Sequence, residues 1–179
     1  MAFTTNVSQW HNNRSGPPFF PSGVPSESKL LFDANPLIHH GHSVEYFLSS
    51  IAPGLKKKGV EIGTSASVMN ELDKLIKLAP DPETRNAARK AWNIVITYQK
   101  AGLFQIYGDK DDETHADLVW LSVALKYRNH HPLFIVTQDN DLADDLELLN
   151  HLKSTHAKHK ITVLRFTKDG TLKARKHHA

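Results

Sequence analysis

The chain has 179 residues, no cysteine and a formal net charge of +3. That length fits one domain able to bury its own core, and the missing cysteine excludes disulfides, thiolate metal sites and cysteine nucleophiles. The charge is uneven: residues 1–150 hold 14 Lys and Arg against 18 Asp and Glu, a net of −4, whereas residues 151–179 hold 8 against Asp169 alone, a net of +7.

In chain order, MAFTTNVSQW has neither the basic nor the apolar stretch of a leader. No apolar run nears the roughly 20 residues that span a bilayer, so a cytoplasmic protein without membrane contact is expected. GPPFFPSGVP (16–25) holds four of the nine prolines, which cannot sustain helix or central strand, so residues 1–28 read as a flexible extension. The domain is expected over 29–166, with a basic tail at 167–179. Lys29–Asp33 is a short apolar run of strand length, followed by a helix around Ser43–Ile51 that Pro53-Gly54 stops. Val60–Thr64 reads as the second strand, and Ser65 or Ser67 caps a helix to about Leu78. Pro82–Ala101 reads as a long helix with Gly102 just past its end. Leu103–Tyr107 is the third strand. Asp111–Tyr127 is a helix with Leu118, Leu121 and Leu125 on one face. Leu133–Thr137 is the fourth strand, Asp141–Leu152 a helix, and Ile161–Phe166 the fifth strand.

Short apolar strands alternating with helices predict an α/β three-layer sandwich: a central parallel sheet with helices on both faces. Ligands of such sheets bind outside the carboxyl ends of the strands, which directs attention to the acids there. Asp33 closes the first strand, and Asp139 and Asp141 follow the fourth. Glu71 lies in helical line with Val68, Leu75 and Leu78, and Asp117 with Leu121 and Ala124, so both fall along apolar stripes. Each acid also has a purely structural reading: Asp33-Ala-Asn35-Pro36 as a turn, Asp139 or Asp141 as a helix cap, Glu71 and Asp117 as partners of Lys74 and His115. Four carboxylates gathered at one sheet edge would repel one another. A divalent cation relieves this, and oxygen ligands suit Mg2+ or Mn2+.

LLFDANPLI (30–38), SVMNELDKL (67–75), HADLVWLSVAL (115–125) and FIVTQDNDL (134–142) stand in the order and spacing of the PIN-domain nucleases. The chain resembles that family over about residues 29–166. The resemblance implies a metal-dependent endoribonuclease on a PIN-like, Rossmannoid sheet, acting on RNA to leave a 5′-phosphate and a 3′-hydroxyl. It implies that Asp33, Glu71, Asp117 and Asp139 are catalytic metal ligands, that Asp141 is an accessory ligand, and that Asn35 and Thr137 are polar residues supporting them. It also implies a homodimer and, for a toxin-like member, an antitoxin partner. The alternative is a non-catalytic RNA-binding or scaffold module on the same fold. A receiver-type phosphotransfer domain is disfavoured, because Gln138 and Asp139, not a lysine, follow the fourth strand.

An acidic site that takes a polyanion needs positive charge from elsewhere. The candidates are Lys56, Lys57, Lys58, Arg85, Arg89, Lys90, and the tail with Arg175 and Lys176. His39, His40 and His42 match no strong ligand spacing. His130-His131 and His177-His178 read as surface pairs, and His115 is a candidate phosphate contact. Trp92 and Trp120 read as core residues of their helices rather than base-stacking platforms.

Overall fold

The computed structural model describes residues 24–108, 116–152 and 157–175. The strands are β1 (Lys29–Phe32), β2 (Glu61–Ser65), β3 (Gln105–Tyr107), β4 (Leu133–Val136), β5 (Ile161–Phe166) and β6 (Leu172–Ala174). The helices are α1 (Ala34–His39), α2 (Gly41–Ser50), α3 (Ala52–Lys57), α4 (Ala66–Leu78), α5 (Pro82–Lys100), α6 (Ala116–Tyr127) and α7 (Asn140–Leu149). The strands form one sheet in the order β3-β2-β1-β4-β5-β6, parallel except for β6, which runs antiparallel to β5. The architecture is the expected α/β sandwich.

β1 lies at the centre, and its four residues are all buried, as a strand covered on both faces requires. Phe32 packs on Phe47 of α2 and on Phe104, with ring centroids 5.7 and 5.9 Å away. The α4–α5 pair packs together, and α1 and α2 pack on α5, while α6 packs on α4 and α7. No described helix is long and apolar enough to cross a membrane.

Several elements depart from expectation. Residues 34–39 form α1, not a turn. Pro36 sits within the first turn, where backbone N–H groups have no partner inside the helix, so its missing N–H is harmless. Pro53 likewise opens α3 instead of ending the structured segment. Val24 is buried in the core, so the packed chain begins upstream of Lys29. On α6 the buried residues are Trp120 and Ala124, whereas Leu118 and Leu125 are exposed; α6 is apolar on more than one side, so its stripe is ambiguous in sequence. Residues 172–174, assigned to the tail, form β6 after a turn in which Thr167 and Thr171 both bond Asp169. Phe19 and Phe20, His115 and Lys176 lie outside the described residues.

One close approach is required at β2. A Cβ on Gly63 would stand 2.3 Å from the Gln105 carbonyl oxygen and 2.7 Å from a ring carbon of Tyr107. The bare glycine lets Tyr107 lie back along β2 and donate its hydroxyl to Glu61, 2.8 Å away, beside the ion pair that Glu61 makes with the buried Lys29. Burial, then the hydrogen bond to Glu61, raise the Tyr107 hydroxyl well above its ordinary pKa. Gly63→Ala is therefore expected to lower stability by about 3 kcal/mol in urea unfolding, because the clash is with backbone as well as with a ring.

Candidate functional site

The chain runs outward from β1 through β2 to β3, then returns to place β4 on the other side of β1. The strand order thus reverses between β1 and β4, the position where open parallel sheets hold ligands at their carboxyl edge. The two strands end in register, Phe32 beside Val136, and the Asp33 backbone N–H donates to the Val136 carbonyl at 3.0 Å.

Asp33 follows directly and is 7% exposed. Its Oδ1 accepts from the Trp120 indole Nε1 at 3.2 Å, and its Oδ2 from the Thr137 hydroxyl at 2.9 Å. Both donors are neutral, so they solvate the carboxylate without adding a positive charge. The same Thr137 hydroxyl accepts the Asp139 backbone N–H at 3.0 Å. One side chain therefore links the acid at the end of β1 to the acid after β4. On the other side of β1, the buried Thr64 hydroxyl of β2 donates to the Phe32 carbonyl at 2.6 Å.

Asp139 is the N-cap of α7, its Oδ1 accepting from the Asp141 and Leu142 backbone N–H groups at 2.7 and 3.1 Å. Both capping bonds go to one oxygen, which leaves Oδ2 out of the cap. The Asp139 carbonyl accepts from Arg165 Nη2 at 2.9 Å, so β5 tethers the loop that carries the acid. Burial, then the neighbouring Arg175 charge, lower the Arg165 guanidinium from its ordinary pKa, and its buried Nε has no hydrogen-bond partner among the described residues. Asp141 is exposed in the first turn of α7.

Glu71 is half-buried in the second turn of α4. That helix is capped by Ser65, whose hydroxyl accepts the Val68 N–H at 3.3 Å. It packs against both α1, which Asp33 precedes, and α6, which bears Trp120. Asp117 lies on α6 one turn before Trp120; its side chain is outside the described ones. Asn35 is half-buried in the first turn of α1. The structure thus joins Asp33, Thr137 and Asp139 directly and packs the helix of Glu71 on α1 and on the helix of Asp117, which in turn packs on α7. Among the described residues, no three His, Asp or Glu side chains form a group that could hold a metal ion.

The expected phosphate contacts are dispersed. Lys56, Lys57 and Lys58 lead into β2 and so lie at the amino edge of the sheet, opposite Asp33; Lys56 there donates to the Gly102 carbonyl. Arg85 donates to the Ala79 and Pro80 carbonyls at the end of α4, while Arg89 and Lys90 are exposed on α5. Arg175 is held in ion pairs with Asp144 and, at 3.0 Å, Glu147 of α7.

Trp120, Thr64 and Arg165 were not singled out for the site from sequence. Trp120 was read as core, and it is fully buried; the signal for its second role was its spacing from Asp117, one helical turn later.

This topology and site edge define a PIN-like fold. Of solved structures, the PIN domain endonuclease Utp24 is similar with a TM-score of 0.55 and 17% identity, over 90% of this chain and 95% of that one. No protein-family model matches the chain, and no curated protein does.

Thr137→Val keeps the shape of the side chain but leaves both Asp33 Oδ2 and the Asp139 N–H short of a partner. It is expected to lower stability by about 2 kcal/mol in chemical denaturation, with Thr137→Ser near the parent.

Proposed function

We propose that this chain is a divalent-metal-dependent endoribonuclease whose site is the crevice between β1 and β4. The observation that carries this reading is the buried Asp33 carboxylate, joined through the Thr137 hydroxyl to the loop of Asp139 at the strand-order reversal. A carboxylate kept out of water is stabilised by a cation, and a divalent ion at the strand ends would serve Asp33 and Asp139 together. The PIN-like fold and the name of its endonuclease neighbour support the same reading.

The candidate donors are all carboxylate oxygens, which fits Mg2+ or Mn2+. Asp33 and Asp139 would supply two ligands, with Oδ2 of Asp139 turned to the ion while Oδ1 stays in the cap. Asp117 and Glu71 would complete the set, with Asp141 accessory. A bound ion would supply Lewis acidity and a water of lowered pKa. In the reaction, a water oxygen bonds to phosphorus, the P–O3′ bond breaks, and the 3′ oxygen leaves and takes up a proton. The products carry a 5′-phosphate and a 3′-hydroxyl. The chain's own part is to hold the carboxylates at fixed separation: Trp120 and Thr137 orient Asp33, and the α7 cap and Arg165 orient Asp139.

The purified protein is expected to cleave fluorescently labelled single-stranded RNA with Mn2+ or Mg2+ and to stop on addition of EDTA. Asp33→Asn and Asp117→Asn should each slow cleavage by at least about a hundredfold, with circular dichroism reporting the fold. Undiminished cleavage by Asp33→Asn removes this reading. RNA binding by the parent with no metal-dependent cleavage assigns the chain instead to a non-catalytic RNA-binding module.

A further inference from the structure

His40 ends α1 and precedes α2, and its ring stacks on that of Phe166, the last residue of β5, with centroids 5.6 Å apart and planes 21° apart. Gln138, between Thr137 and Asp139, fixes the pair. Its Nε2 lies 2.9 Å from the Phe166 carbonyl oxygen and 2.9 Å from His40 Nε2. The carbonyl requires that Nε2 be the amide nitrogen, so it donates to both groups. His40 Nε2 is then the acceptor, and the ring is neutral with its proton on Nδ1. Burial, then the charge of neighbouring His39, lower the His40 pKa, which agrees with a neutral ring. Phe166 is buried beneath, whereas His40 is only half-buried. A flat, uncharged aromatic ring is therefore held rigidly and partly open to solvent, bonded to the residue that precedes the loop acid.

We propose that His40, backed by Phe166 and pinned by Gln138, is a stacking platform for a nucleobase of the RNA strand that enters the β1–β4 crevice. The inference rests on RNA being the substrate, as proposed above, and adds a contact to base rather than to phosphate. Its chemistry is suited to the place. The crevice is lined by Asp33 and Asp139, so without a bound ion a polyanion gains little there from charge. A base offers an uncharged π-face that any aromatic side chain can cover, with little dependence on sequence.

The test measures fluorescence anisotropy of two labelled strands in EDTA, so that neither is cleaved: a short oligoadenylate and a ribose-phosphate chain of equal length without bases. His40→Ala should weaken oligoadenylate binding about tenfold and leave the abasic strand unchanged. His40→Phe, which keeps a ring on Phe166 but loses the bond to Gln138, should bind oligoadenylate within about twofold of the parent. Equal weakening for both strands means a merely structural role and overturns the platform, as does unaltered oligoadenylate binding by His40→Ala. The nuclease reading fails separately. A parent that cleaves RNA with Mn2+ but binds it independently of His40 loses only the platform. A parent that discriminates bases through His40 but cleaves nothing loses only the catalysis.

Discussion

The structure turns on one buried carboxylate. Asp33 ends the central strand, and a charge placed there must be solvated by the protein itself. Two groups that do so come from distant parts of the chain: the Trp120 indole from α6 and the Thr137 hydroxyl from the end of β4. Each contact constrains more than Asp33. Trp120 draws α6 down toward the carboxyl edge of β1. Thr137 works only if β1 and β4 end together, which the pairing of Phe32 with Val136 ensures. Thr64 fixes the third strand end of this edge by bonding the carbonyl just before Asp33. Site and sheet are thus held by the same bonds, and neither can relax alone.

Asp139 shows why structural and chemical readings of a strand-end acid need not compete. A helix cap uses one carboxylate oxygen, and α7 takes Oδ1. The cap fixes the carboxyl plane, and a fixed plane is what a ligand site needs of its remaining oxygen. The helix start adds partial positive charge near the carboxylate, and Arg165 bonds the carbonyl of the same residue. The acid is thereby held from its side chain, its N–H and its C=O.

The sheet was largely legible because the signal for a central parallel strand is local. Ile161–Phe166 occupies the bounds read from its apolar run, and the other parallel strands fall within two residues of theirs. What was not legible depends on partners far away in sequence. β6 is short and Lys-bearing, and only its pairing with β5 makes it a strand. The buried side of α6 is chosen by the indole that reaches Asp33, not by the leucines, of which Leu118 and Leu125 face solvent. Of the candidate site, the strand-end placement of Asp33 and Asp139 was readable because strand ends in such a sheet are special positions. Thr64 and Arg165 were not, since a hydroxyl in one strand and a guanidinium in another carry no local mark of the carbonyls they bond.

The charge asymmetry is similarly redrawn by the fold. In sequence, an acidic body precedes a basic end, as though the end were a separate attractor for phosphate. In space, part of that end is folded back on the body. Arg175 pairs with Asp144 and Glu147 of the acidic helix α7, so its charge is largely balanced there. The β5–β6 turn sets the direction of the rest: Phe166 and Leu172 pair beside the carboxyl edge, and Ala174 pairs with Leu164 farther from it. Of the described basic end, the stretch after Phe166 therefore starts beside the carboxyl edge and runs back along β5. Among its described cations, Arg165 bonds the Asp139 carbonyl, and Lys168 is exposed in the turn that follows β5. For the proposed RNA substrate, contacts that do not depend on net charge would suit an acidic crevice. The neutral His40 ring, bonded by Gln138 next to Asp139 in the chain, would supply a contact of that kind.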